Sequence, residues 1–107
     1  MVYFDNAATT SLDPEVKSVL IDVLDTFGNP SSTHAEGRKA RALVETARKE
    51  IASLVGCTPG EIIFTSGGTE ADNWALKGAV RDLGVRRILT SPVEHHAVLH
   101  VAEELAA

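Results

Sequence analysis

Apolar side chains recur at helical spacing in separate stretches of the chain, with short runs of β-prone residues between them. Asp13-Pro14-Glu15 opens the first stretch: an Asp that can cap free N–H groups, followed by a Pro suited to the first helical position. Val16, Val19, Leu20, Val23, Leu24 and Phe27 follow as one stripe, and Gly28-Asn29-Pro30-Ser31-Ser32 breaks it. A longer helix is predicted from Ala35 to Val55, with Ala40, Leu43, Val44, Ala47, Ile51, Leu54 and Val55 on one face. Glu45 and Lys49 form a favourable i,i+4 pair on its other face. Gly56 stops this helix, and Pro59-Gly60 makes a turn. A third helix is predicted from about Thr69 to Arg81, with Gly84 placed as its stop. A fourth starts near Glu94 or His95 and turns Val98, Val101, Ala102 and Leu105 inward. The β-prone runs predict strands at Val2-Tyr3-Phe4, Glu61–Thr65 and Arg87–Thr90.

In the second half of the chain the elements alternate strand, helix, strand, helix. That order argues for a right-handed α/β unit with parallel strands. Two such strands do not complete a parallel sheet with both faces covered, so the pattern predicts the first part of a larger α/β protein. The chain has 107 residues, 44% hydrophobic and 23% charged, with a formal net charge of −5. Arginine and lysine are dispersed, which leaves no electrostatic footprint for nucleic acid or an anionic membrane. No apolar run approaches the roughly 20 residues of a membrane span. Met1-Val2-Tyr3-Phe4-Asp5 has neither a basic nor an apolar leader region, and the single cysteine, Cys57, excludes an internal disulfide framework. The expected compartment is the cytoplasm.

Candidate chemistry gathers where the predicted strands end. In "EIIFTSGGTEADN", Glu61 to Asn73, β-prone residues run into Ser66-Gly67-Gly68-Thr69 and then into a helix. A strand, glycine turn and helix place free backbone N–H groups and the positive end of a helix dipole at one point, which suits a phosphate. Gly67 and Gly68 permit close approach, and the Thr69 hydroxyl adds a donor. The two familiar nucleotide fingerprints are absent. Glu70 and Asp72 also complement a helix start, so a capped helix with nothing bound accounts for the same pattern. His95 follows the last predicted strand, on the same side of the sheet as the glycine turn, where open α/β sheets bind ligands. A histidine there also serves as an ordinary surface or capping residue. His96 and His100 stand four apart, but "HAVLH" lacks the glutamate of a zinc-binding H-E-x-x-H, so no metal site is expected.

Four blocks in register carry a resemblance: "YFDNAATT" (Tyr3–Thr10), "GNPSSTHAEGRKA" (Gly28–Ala40), "EIIFTSGGTEADN" and "VEHHAVL" (Val93–Leu99). Together they resemble the pyridoxal-phosphate-dependent cysteine desulfurases, in the branch serving nitrogenase maturation and general iron–sulfur assembly. The resemblance covers essentially the whole chain, and "GNPSSTH" favours this branch over the related selenocysteine-lyase branch. It implies the N-terminal part of the large domain of the aspartate-aminotransferase-like, fold type I transferases. Residues 1–12 would be a segment near the active site on the small-domain side, and residues 13–107 an incomplete cofactor-binding α/β domain. Gly68 and Thr69 match the positions that hold the phosphate of pyridoxal 5'-phosphate. His95 matches the histidine stacked on the pyridine ring, a participant in proton transfers. Ala7 and Ala8 match the tight loop beside the substrate, where small side chains leave room for an amino acid. Asn29 and His34 lie in a signature block and are given a structural or pocket-edge role.

The same resemblance implies removal of sulfur from L-cysteine, giving L-alanine and an enzyme persulfide that passes to a sulfur acceptor or iron–sulfur scaffold, with the complete protein a homodimer. The family's Schiff-base lysine, its pyridinium aspartate, ring glutamine, substrate-binding arginine and nucleophilic loop cysteine match nothing in these 107 residues. Lys17, Lys39, Lys49 and Lys77 stand on helical patterns in other motifs. Cys57, before a Thr-Pro-Gly turn, reads as a partly buried structural thiol. The chain alone is therefore expected to be inactive. Two rival readings stay open on sequence: a related aminotransferase or selenocysteine lyase, and a non-catalytic fragment that acts only with a complementary chain.

Overall fold

The computed structural model describes residues 2–107; Met1, the first residue of the predicted N-terminal segment, lies outside the described residues. Four α-helices form: α1 (Pro14–Leu24), α2 (Ala35–Val55), α3 (Gly68–Arg81) and α4 (His96–Ala106), with a short 3-10 helix at Pro59–Glu61. The chain divides into two compact units, the first ending at Ile62 and the second running from Ile63 to Ala107.

In the first unit, local chemistry sets each helix boundary. Asp13 caps α1 by accepting the Glu15 N–H at 2.8 Å on Oδ1, and Pro14 occupies the first position. His34 caps α2 through Nδ1, which accepts the Gly37 N–H at 3.3 Å. At the other end Gly56 adopts the left-handed conformation (φ +72°), and the Cys57 N–H returns to the Ala52 carbonyl at 3.0 Å. Thr58 donates its N–H (2.8 Å) and its hydroxyl (2.7 Å) to the Glu61 carboxylate across the 3-10 turn. The Arg48 guanidinium, on α2, donates to the Ile62 carbonyl beside that turn. Cys57 is half-buried.

The "GNPSSTHAEG" block is built on two close backbone approaches. A Cβ on Gly37 would lie 2.5 Å from the Ser32 carbonyl oxygen and 2.8 Å from that of Asn29. A Cβ on Gly28, itself at φ +149°, would lie 2.6 Å from the Glu36 carbonyl oxygen. The loop is held by the Ser32 N–H to the Asn29 carbonyl and the Ser31 N–H to Asn29 Oδ1, each at 2.9 Å. Asn29 and His34 thus build the loop and cap the helix that follows it.

In the second unit α3 packs on α4. Val101, only 3% exposed, and Ala97 are buried on α4, with Val98, Ala102 and Leu105 half-buried beside them, on the face the periodicity predicts. Lys77 and Glu104 join the helices by an ion pair of 2.8 Å. Gly84, at φ +69°, ends α3 as expected, with the Val85 N–H returning to the Ala79 carbonyl at 3.0 Å.

Two expectations are corrected. Among the described residues no β-ladder forms: residues 2–4, 62–65 and 84–91 run without helix or ladder pairing, and Glu61 belongs to the 3-10 turn. A strand exists only by exchanging N–H···O=C bonds in a ladder with a neighbouring strand, and a β-prone composition does not by itself supply that neighbour. The α1 stripe is likewise uncovered. That helix buries no residue, and Leu24 is 79% exposed. α2 buries Gly37, Ala40 and Ala52 and leaves Leu54 85% exposed.

The close approach at Gly37 yields a test in the complete protein. Alanine gains up to about 1 kcal/mol of helix propensity over glycine, but overpacking against backbone that cannot swing aside costs about 1–3 kcal/mol. Gly37→Ala should therefore lower the denaturant midpoint. Gly60→Ala, whose Cβ would meet nothing within 4 Å, should leave it unchanged.

Candidate functional site

Among the α-helices of the described residues, α3 is the one whose start no side chain caps. Gly67 is its N-cap, in extended backbone (φ 167°), and the first helical bond runs from the Ala71 N–H to the Gly67 carbonyl at 3.2 Å. The N–H groups of Gly68, Thr69 and Glu70 precede that bond and have no intrahelical acceptor. A Cβ at Gly67 or Gly68 would meet nothing within 4 Å. Neither packing within the chain nor a left-handed φ demands glycine here, in contrast to Gly28 and Gly37. The glycines instead leave the helix start bare, so an anion can reach its N–H groups and the positive end of the dipole.

Three side-chain ties hold the bare turn in shape, one of them from Thr65 Oγ1, which donates to the Gly67 carbonyl at 3.2 Å. The Glu70 carboxylate accepts both the N–H and the hydroxyl of Ser66 through Oε2, each at 2.7 Å. Those bonds, the backbone one foremost, hold the Glu70 carboxyl below the ordinary glutamate value. They also engage its charge with Ser66 rather than with the Gly68 and Thr69 amides. Asn73 Nδ2 donates to the Thr69 carbonyl at 2.9 Å.

Thr69 and His95 line one open cavity of about 350 Å³, within the range of small-molecule sites. Asn73 lines it from α3; His96, His100 and Glu104 line it from α4, with Ala97 and Val101 between them. His95 caps α4, its Nδ1 accepting the Ala97 N–H at 3.1 Å. A nitrogen that accepts carries no proton, so the neutral ring holds its proton on Nε2. The His95 and His96 rings lie 6.2 Å apart, and those of His96 and His100 5.1 Å apart. Among the described residues no three His, Cys, Asp or Glu side chains gather as metal ligands, and no helix is long and apolar enough to cross a membrane.

Of the expected site residues, the structure brings Thr69 and His95 to the same cavity, and Gly68 stands next to Thr69 at the bare helix start. Ala7 and Ala8 lie in the other unit, exposed, in a turn where the Ala8 and Thr9 N–H groups bond to the Asp5 carbonyl. Asn73 and Glu104 escaped the sequence reading. The signal available was spacing alone: each stands four residues after a cavity residue, Thr69 and His100.

The chemistry of this site meets a consistent set of likenesses. The family model for the aminotransferase class-V domain matches residues 2–107. A cysteine desulfurase of Frankia sp. (strain EuIK1) is 49% identical over 106 residues, covering 96% of this chain and 25% of that protein. An IscS-like cysteine desulfurase of Mycobacterium tuberculosis (strain ATCC 25618 / H37Rv) is 51% identical over 104 residues, covering 92% and 26%. A solved structure of a NifS-like protein superposes with a TM-score of 0.87 at 42% identity, covering 98% of this chain and 30% of its own. The chain spans roughly a quarter of the length of the curated relatives it matches.

The Ser66–Glu70 tie gives a pH dependence. A carboxyl held below its unfolded value stabilises the turn above that value, about 4.3 for glutamate, and the contribution is lost as pH falls through the folded value. The Ser66 amide resonance should hold steady at neutral pH and move as the solution is acidified below the ordinary glutamate range. In Glu70→Gln that movement should vanish.

Proposed function

This chain belongs to the aminotransferase class-V family, and from that membership we propose that it supplies part of the cofactor site of a pyridoxal-phosphate-dependent cysteine desulfurase. One observation carries the reading: Thr69, at a bare glycine-led helix start, and His95 line a single cavity. The relatives named cysteine desulfurases, at about half identity along nearly the whole chain, support the choice of reaction.

The residues fit the group. The amides of Gly68 and Thr69 and the Thr69 hydroxyl would hold the phosphate, with the helix dipole behind them. The flat imidazole of His95 would serve the cofactor ring. When bound, pyridoxal phosphate supplies an electron sink for the substrate amino acid. Because Nδ1 of His95 is engaged with the Ala97 N–H, its ring presents Nε2 for holding and moving a proton. Ala7 and Ala8 border the substrate and leave room for L-cysteine. In this reading residues 1–12 belong beside the small domain and residues 13–107 to the large domain. The complete protein is a cytoplasmic homodimer that converts L-cysteine to L-alanine and hands the sulfur to an iron–sulfur scaffold or another acceptor.

In the complete protein, Thr69→Ala should weaken cofactor retention by about 1.5–3 kcal/mol, the worth of a hydrogen bond to a charged group, measured by titrating the apo-protein with cofactor. His95→Ala should lower turnover more than cofactor affinity and should also cost about 0.5–2 kcal/mol through the lost helix cap. His95→Asn keeps a capping side chain, so it should restore stability without restoring turnover. Unchanged turnover in both variants would remove His95 from the chemistry. The 107-residue chain purified alone should release no alanine from cysteine.

A further inference from the structure

The bare start of α3 raises the question of what orients Thr69, since the usual capping side chain is missing at Gly67. An uncapped first turn frays, and a frayed turn presents its N–H groups and its threonine hydroxyl in no single direction. Of the three ties on this turn, Ser66–Glu70 acts on the chain before the glycines and Thr65 acts on the Gly67 carbonyl. Among the described residues the third alone acts on Thr69 itself: Asn73 Nδ2 donates to the Thr69 carbonyl at 2.9 Å, and Asn73 borders the same cavity as Thr69 and His95.

We infer that Asn73 is the positioning residue of the anion site, its carboxamide clamping the Thr69 carbonyl so that the Thr69 amide and hydroxyl face the cavity. The inference rests on the reading of Thr69 as a phosphate-binding residue. An asparagine within a helix usually competes with the backbone or points to solvent. Here the competition is put to use: the extra donor falls on the carbonyl of the residue that the site needs held. Through that bond Asn73 governs how well a phosphate is gripped, and it makes no contact with the reacting atoms.

The test uses the complete protein stripped of cofactor, titrated with pyridoxal phosphate and, separately, with inorganic phosphate. Thermal unfolding is recorded for every variant. Asn73→Ala should weaken both ligands on the order of three- to tenfold, the worth of one neutral hydrogen bond, with the melting curve of the apo-protein little changed. Asn73→Ser can return a hydroxyl to the i−4 carbonyl and should recover most of the loss. In a Thr69→Ala background, Asn73→Ala should cost less than it does alone, because part of what it orients is gone. Full additivity together with failure of the serine rescue would mean that Asn73 touches the ligand directly, and would overturn the inference, as would an Asn73→Ala protein that binds both ligands normally. If Thr69→Ala itself leaves both affinities unchanged, the underlying reading of the site fails instead.

Discussion

Three backbone N–H groups at the start of α3 have no helical acceptor and no side-chain cap, and the cavity that Thr69 lines with His95 begins at that bare turn. Every other α-helix among the described residues meets the same problem with a side chain: Asp13, His34 and His95 each accept an N–H from the turn they open. At α3 the capping position is glycine, which stabilises a helix start less than Asn, Asp or Ser. No side chain caps these donors, and the turn is held by Ser66 with Glu70, by Thr65 on the Gly67 carbonyl and by Asn73 on the Thr69 carbonyl. An anion bound there satisfies the N–H groups and the dipole together, which is more than one capping hydroxyl does.

Glycine serves two opposite ends in this protein. At Gly28 and Gly37 it is demanded by crowding, because a Cβ would enter the backbone of a facing segment. At Gly67 and Gly68 it is surrounded by open space. Steric necessity explains the first pair, which fastens a loop onto the opening turn of α2. Access explains the second. Two glycine-containing blocks of equal prominence in the sequence therefore have different physical settings, one crowded and one open.

The exposed apolar surface follows from a second constraint. Burying a Val, Leu, Ile or Phe side chain is worth about 1.5–3 kcal/mol, and α1 presents a whole stripe of such residues, none of them buried. Segments with strand-like composition at 62–65 and 87–90 likewise lie outside any β-ladder among the described residues. The amphipathic pattern is real in both cases; what it specifies is a face with an affinity for a neighbour, and a pattern cannot supply the neighbour.

Local chemistry was legible from the residues alone. Asp13-Pro14 opened α1, Gly56 closed α2 in the left-handed conformation, and Gly84 followed α3, because caps and stops act within a few residues of themselves. The four quoted blocks were likewise enough to identify the family. Tertiary structure decided the rest. Three histidines stand close together at 95, 96 and 100, and their spacing alone does not say that they share a cavity with Thr69, or that His95 spends its Nδ1 on a helix cap. Asn73 and Glu104 escaped notice for a related reason: that they border one cavity is decided where α3 packs on α4, between residues far apart in sequence. Periodicity reports which face of an element is apolar, and only packing determines what that face, and the polar groups at its rim, will meet.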